Sequence, residues 1–174
     1  MNQLNAAIGK FGSLFIIERS GFVQFIIYQI IRKIKRPIIY VALIKPSVSI
    51  LSGLHRNKIK TDKLFFIDCT TESASGVVER KENILFIKEP TDLTSIGIAV
   101  SQFLETIPGE KYLIIDALRI LMIYHNMNVI LKFIRSILEE ASRRQAKVII
   151  LATKSKDTKL INKVSQFFEK VIEV

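Results

Sequence analysis

The sequence contains few of the residues that form covalent or metal cross-links. Its 174 residues include one cysteine, Cys69, and two histidines, His55 and His125. A single thiol cannot close an intramolecular disulfide, and one thiol with two imidazoles is a poor ligand set for structural zinc. We therefore expect no bound metal and a reducing, cytoplasmic setting.

Long uncharged hydrophobic runs are absent as well. The strongest candidate, residues 22–31, is short and has charged residues on both sides, whereas a helix that crosses a bilayer needs about 20 apolar residues. The opening segment MNQLNAAIGKFG lacks the charged start and the apolar run of a secretion signal. We expect no transmembrane segment and no export signal.

Glycine and proline are scarce, at 7 and 4 residues, and the hydrophobic fraction is 49%. This composition is too apolar for a disordered chain and too poor in glycine and proline for a fibrous one. No linker-like or repeated segment interrupts the chain. Since domains commonly contain about 100 to 200 residues, we expect one domain over residues 1–174.

Strand-like and helix-like segments alternate along the chain. Short apolar or β-branched runs predict strands at residues 13–18, 37–43, 64–69, 84–88, 111–116, 147–152 and 170–174. Longer amphipathic or buried patterns predict helices at residues 20–35, 46–57, 93–107, 126–144 and 157–168, and a polar loop at 70–83. Thr91 or Asp92 can cap the third of these helices. This alternation predicts a mostly parallel sheet with helices on both faces.

Basic residues exceed acidic ones, and the formal charge is +10. One basic cluster runs from Arg32 to Lys63 and a second from Arg143 to Lys163. The candidate residues for binding nucleic acid or another anion are Arg32, Lys33, Lys35, Arg36, Lys58 and Lys60. A basic surface attracts polyanions without selecting among them, and neither cluster has interleaved aromatic residues that could stack on bases. A solvated basic face without a ligand is the alternative.

The turn after the first predicted strand is where phosphate binding would be expected in this class of sheet. Residues 18–24 retain only Gly21 of the pattern GxxxxGK[ST]. The amides of Ser20 and Gly21 could still form a residual anion site, and a purely structural turn is the alternative.

A carboxylate ends the strand YLIID at Asp116. In a nucleotide-binding sheet, an aspartate at this place contacts magnesium through water. Two structural roles are the alternatives: Asp116 caps the segment that follows, or it pairs with Arg119. Asp68 ends the strand LFFID in the same way.

Taken in order, these segments resemble the archaeal RecA/KaiC-like ATPase superfamily. The resemblance covers nearly the whole chain and is most distinctive at residues 90–98 and from Asp116 through Tyr124 into the helix that contains Phe133. It implies a three-layer RecA-like core of the P-loop NTPase type, with strand order 5-1-4-3-2. It also implies a site for ATP and magnesium after the first strand, and action as an oligomer or with a partner.

The departures from this family concern its catalytic residues. Residues 19–24 stand where the family usually carries its phosphate loop, and Ile44 and Lys45 stand where it usually carries a pair of glutamates that activate water. Of the expected catalytic set, only Asp116 remains. Loss of the phosphate clamp and the general base removes effects that are commonly worth several powers of ten in rate.

We therefore expect a catalytically inactive RecA/KaiC-like domain without a cofactor. Arg19, Ser20, Gly21 and Asp116 would be the remnant of its nucleotide site. It would act as an interaction or regulatory module that binds a protein partner or a second copy of itself. Two alternatives stay open: an ATP-binding enzyme in which Arg19 or Lys45 replaces the missing lysine, and a nucleic-acid accessory protein that uses the basic clusters.

Overall fold

The computed structural model describes residues 2–19, 21–71, 80–81, 83–87, 92–154 and 158–174. Its strands are β1 (Ser13–Glu18), β2 (Ile38–Ala42), β3 (Leu64–Asp68), β4 (Arg80–Lys81), β5 (Ile84–Phe86), β6 (Lys111–Ile115), β7 (Ala146–Thr153) and β8 (Lys170–Glu173). Its helices are α1 (Asn2–Ala7), α2 (Val23–Lys33), α3 (Ser47–Arg56), α4 (Leu93–Thr106), α5 (Leu118–Tyr124), α6 (Met127–Arg143) and α7 (Lys159–Ser165).

All the strands belong to one sheet, in the order β4-β5-β3-β2-β6-β7-β1-β8. Every neighbouring pair is parallel except β4 and β5, which are antiparallel. Strands β3, β5 and β4 extend the sheet beyond β2. In the remaining run β8-β1-β7-β6-β2, counting β6, β7 and β8 as the third, fourth and fifth strands gives the expected order 5-1-4-3-2. The predicted three-layer α/β fold is therefore confirmed.

Apolar side chains cover both faces of the sheet, which explains why its strands read as continuous hydrophobic runs. Along β1, Leu14 and Ile16 face the core that α1, α2 and α3 cover, whereas Phe15 and Ile17 face the core that α4, α5, α6 and α7 cover. All six residues of β1 are buried. The alternation of consecutive side chains between the two cores follows from the strand period of two.

The helix predictions are confirmed with shorter bounds in most cases. Asp92 caps α4, because its carboxylate accepts hydrogen bonds from the amides of Thr94 and Ser95. On α6, the predicted apolar stripe packs against the core: Ile130, Ile134 and Ile137 are buried and Phe133 and Leu138 are partly buried, whereas Val129 is 40% exposed. Residues 118–124, for which the sequence predicts no helix, form α5. Most of the predicted loop 70–83 lies outside the described residues, and the short strand β4 lies within it.

Helices α2 and α3 approach closely where Tyr28 faces Gly53. A Cβ atom on Gly53 would overlap the Tyr28 hydroxyl group, so the Tyr28 ring fills the space that a side chain would need. On α4, a Cβ atom added to Gly97 would have no neighbouring atom within 4 Å. The two helical glycines therefore differ in the space around them.

We expect the substitution Gly53→Ala to lower the free energy of unfolding by about 1 to 2 kcal/mol, because displacing the Tyr28 ring costs more than the gain in helix propensity. Gly97→Ala is the matched control and should raise it by about 0.5 to 1 kcal/mol. Urea denaturation of both variants measures the difference. Equal stabilisation of both would contradict the close approach.

Candidate functional site

The carboxyl ends of the parallel strands meet at one edge of the sheet, which we call the carboxyl edge. Three buried carboxylates end strands or follow them directly there: Glu18 on β1, Asp68 on β3 and Asp116 after β6. Ligands of open parallel sheets bind outside this edge. Any nucleotide chemistry of this sheet would therefore use groups at the carboxyl edge.

Glu18 accepts a hydrogen bond from the chain that follows it. The Phe22 amide donates to Glu18 Oε1 over 3.1 Å, and α2 begins at the next residue. The amides at a helix start are the groups that hold phosphate in nucleotide-binding turns. Here the Glu18 carboxyl group of the same chain accepts a hydrogen bond from one such amide, that of Phe22.

The turn between β1 and α2 has little room for the usual phosphate loop. It contains only residues 19–22, and Gly21 adopts a left-handed φ of 79°. Glu18 is fully buried, and its Oε1 already accepts the amide of the residue that precedes α2.

Arg19 forms an ion pair with Glu173 on β8. Lys154 also contacts Glu173, at 3.7 Å between Nζ and Oε2, and the Arg19 amide donates to the Val174 carbonyl over 2.9 Å. Arg19, the cation expected near a phosphate, is thus held in an ion pair with the edge strand β8. Gly21 is exposed, and Ser20 lies outside the described residues.

Asp116 links β6 to β2. Tyr40 Oη donates to its Oδ2 over 3.0 Å, and the Leu43 amide donates to its Oδ1 over 2.9 Å. The expected structural roles, a cap for the next segment or a pair with Arg119, are not those observed, because both carboxylate oxygens face β2 and its following loop. Burial raises the pKa of Asp116 to about 7, although these hydrogen bonds oppose the shift.

Asp68 fixes the loops after β2 and β3. Its carboxylate accepts the Ser47 amide at the start of α3 over 2.7 Å and the amides and hydroxyls of Thr70 and Thr71 over 2.9 to 3.1 Å. Burial by itself raises the pKa of Asp68, but these hydrogen bonds outweigh burial and hold it below its ordinary value. The sequence signal for this role was the pair of threonines after the aspartate.

Apolar side chains are exposed where α2 and α3 begin. They are Phe22, Phe25, Ile44 and Val48, which we call the edge patch; Phe22 and Val48 are 66% and 63% exposed. Because Tyr28 and Gly53 hold α2 beside α3, the starts of the two helices lie on the same side of the carboxyl edge. Lys45 is exposed beside Ile44, and neither supplies a carboxylate for activating water.

Metal chemistry has no evident ligand set in the part of the chain that the structure describes, where no three His, Cys, Asp or Glu side chains come together. Cys69 is buried, and burial raises the pKa of its thiol. No helix in the described ranges is long and apolar enough to cross a bilayer.

The predicted anion-binding residues lie at the opposite edge of the sheet, where the parallel strands begin. Five of them line one cleft there: Arg32, Lys35, Arg36, Lys58 and Lys60. Lys33 is exposed outside it. The second basic cluster does not form one surface, because Arg143 and Arg144 pair with acids on α6 and α4 while Lys154 lies at the carboxyl edge.

A family model described as Family of unknown function (DUF7504) matches residues 42–174. The chain belongs to this family. The match begins at the last residue of β2, so in this DUF7504 chain the first strand and its turn precede it. No curated protein matches the chain.

Solved structures similar to this DUF7504 chain include an ATPase domain, with a TM-score of 0.63 and 13% identity over 92% of this chain and 68% of that one. A structure of a DnaB-like replicative helicase and its interactions with primase gives a TM-score of 0.55 and 15% identity, over 84% of this chain and 39% of that one. The match thus spans well under half of the latter. At these identities the likeness establishes a RecA-like fold alone.

The raised pKa of Asp116 predicts a pH dependence of stability. Since the folded-state pKa of about 7 lies above the ordinary value of 3.8, the folded chain binds this proton more tightly than the unfolded chain. The contribution of Asp116 is present at low pH and is lost as pH rises toward 7. Between about pH 5 and pH 8 this loss should amount to about 2 to 4 kcal/mol.

Asp116→Asn removes the titration, so the free energy of unfolding of the variant should fall less over this pH range. Asp68→Asn is the control and should retain the fall, because the pKa of Asp68 is lowered and its contribution is lost only in acid. Guanidinium denaturation at a series of pH values tests both. Parallel pH curves for the native chain and Asp116→Asn would contradict the assignment.

Proposed function

We propose that this chain is a catalytically inactive member of the archaeal RecA/KaiC-like ATPase superfamily that acts as a protein-interaction or regulatory module. The observation that carries the proposal is the buried Glu18 carboxylate, which accepts the Phe22 amide at the start of α2. A chain that engages such an amide with its own acid disfavours a triphosphate at the same turn.

The other groups that hydrolysis requires support the same proposal. Phosphoryl transfer depends on cations that bind the phosphates, on a magnesium ligand and on a residue that positions water. Arg19 is paired with Glu173, Asp116 bonds to Tyr40 and Leu43, and Ile44 and Lys45 replace the expected glutamates. These contacts and replacements support the proposal, because the residues expected to meet each requirement are engaged by other groups or replaced.

The exposed edge patch favours a role in association. Exposed clusters of large apolar side chains commonly mark protein interfaces. One of the similar solved structures is described together with its interactions with primase, which supports by analogy an association between a RecA-like domain and another protein. We propose that a second copy of the chain covers the edge patch.

We expect no release of phosphate from ATP with magnesium above a protein-free blank, and no heat of ATP binding in calorimetry. The alternative, an ATP-binding enzyme that uses Arg19 or Lys45, predicts binding that Arg19→Ala or Lys45→Ala weakens. Robust turnover that either substitution abolishes would refute catalytic inactivity.

We expect the native chain to self-associate as its concentration rises, with a weighted sedimentation coefficient that increases accordingly. Phe22→Ser should weaken this association about tenfold or more, because a buried aromatic anchor is worth a few kcal/mol at an interface. Ile98→Ser on α4 is the matched control, since Ile98 is 56% exposed on the other face of the sheet. A native chain that stays monomeric, or equal weakening in both variants, would contradict self-association through the edge patch.

A further inference from the structure

The edge of the sheet where the parallel strands begin is here called the amino edge. A cleft of about 420 Å³ lies there, between the ends of α2 and α3 and the starts of β2 and β3. Buried aliphatic side chains form its floor: Ile31, Ile34, Ile38, Ile59 and Leu64. Basic side chains form its rim: Arg32, Lys35, Arg36, Lys58, Lys60 and Lys63. The cleft is thus an apolar depression surrounded by cations.

The charge of the cleft is strongly unbalanced. Its six basic side chains are accompanied in the lining by one acid, Asp62, which leaves a net charge of 6 − 1 = +5. Arg36 contacts Glu110 at 3.5 Å, in a pair whose side chains are both more than half exposed. Within the described ranges, Lys58 and Lys60 form no ion pair. Most of the positive charge therefore remains available to an anion.

Capping of helix ends explains part of this cluster. Arg32 donates to the Asn57 carbonyl, Lys63 to the Lys35 carbonyl and Lys35 to the Arg32 carbonyl, over 3.3, 3.1 and 3.5 Å. Cations at helix carboxyl ends offset a partial charge of about −0.5 per helix. Two helix ends thus account for about one unit of charge, and they do not account for Lys58, Lys60 or Arg36.

Lys58 is also held in an unfavourable backbone conformation. Its φ is 54°, just after the end of α3, at a position where glycine is usual because other residues are strained in the left-handed region. Lys58 therefore places a cation at the cleft in a position where glycine would make the folded chain more stable.

We infer that this cleft binds a small anion that carries two or more phosphate groups. Its volume lies in the range of about 300 to 1,000 Å³ that small-molecule sites occupy. A nucleic-acid strand matches the cleft less well. No aromatic side chain among the described residues lines the cleft for base stacking. The second basic cluster also does not continue the cleft into a long basic groove. The ligand would be recognised by charge at the rim, with the aliphatic floor contacting its uncharged part.

This site is independent of the proposed function. The five residues of β2 separate the two edges by about 17 Å at the usual rise per residue. If the cleft binds no phosphate, the proposed function at the carboxyl edge is unaffected. If the carboxyl edge hydrolyses ATP, the proposed function is wrong but the cleft proposal is unaffected.

The test is calorimetric titration of the full chain with sodium tripolyphosphate at low salt. We expect binding that weakens as salt rises, since the attraction is between exposed charges. The double variant Lys58→Gln and Lys60→Gln should bind about tenfold or more weakly, because it removes two cations at contact distance. The matched control, Lys163→Gln with Lys170→Gln, makes the same charge change at exposed residues of α7 and β8 and should bind as the native chain does.

A second pair of variants separates binding from folding. Lys58→Gly should raise the melting temperature and still weaken tripolyphosphate binding, because glycine favours the left-handed conformation but lacks the cation. Gln145→Gly, at the other left-handed non-glycine position near a helix end, should raise the melting temperature without altering binding.

Three results would overturn the inference: no binding of tripolyphosphate by the native chain, equal loss in the two double variants, or much tighter binding of a single-stranded DNA oligonucleotide whose affinity increases with its length. The last result would identify a nucleic-acid surface in place of a small-anion site.

Discussion

Hydrogen bonds from backbone amides to buried carboxylates hold the loops at the carboxyl edge. Glu18 accepts the Phe22 amide, Asp68 the Ser47 amide and Asp116 the Leu43 amide, over 3.1, 2.7 and 2.9 Å. A buried carboxylate without such donors would be strongly destabilising, and a buried amide without an acceptor would be costly as well. Each of these bonds therefore satisfies both of its partners, and those of Glu18 and Asp68 lie at the starts of α2 and α3.

The RecA-like sheet and the groups at its strand ends are separate features of this structure. Nucleotide-binding turns leave their amides open for phosphate, and the ligand then supplies the negative charge. In this chain the Glu18 carboxyl group at the end of β1 accepts the Phe22 amide. Strand order and packing do not by themselves specify chemistry, because function depends on the groups at the strand ends.

The two edges of the sheet also differ in character. The carboxyl edge combines buried acids with exposed apolar side chains such as Phe22 and Val48. The amino edge instead gathers basic side chains around a cleft with an aliphatic floor. A parallel sheet brings the carboxyl ends of its crossover helices to the edge where the strands begin, because each crossover returns the chain to that edge. Residues in α2 and after α3 that are distant in sequence are brought together in this way, as Arg32 and Lys58 are.

The sequence by itself determined the fold class and most of the element order. Runs such as SLFIIE and KVIILA, buried on both faces, are typical of parallel strands, and Asp92 was a recognisable helix cap. That residues 18–24 do not follow the pattern GxxxxGK[ST] was likewise visible without coordinates. The segment 118–124 was not recognised as a helix, because seven residues carry too short an amphipathic pattern.

Only the tertiary structure decided which groups the strand-end carboxylates contact. Asp116 lies near Arg119 in the sequence, yet it bonds to Tyr40 and Leu43 because β6 is adjacent to β2 in the sheet. Whether basic residues share a surface was equally undetermined, since six residues of the first cluster line one cleft while its Lys45 lies at the carboxyl edge, and the second cluster divides between two edges. Sequence patterns report periodicity along one element, whereas contacts between elements depend on strand order and on which ends of the helices meet.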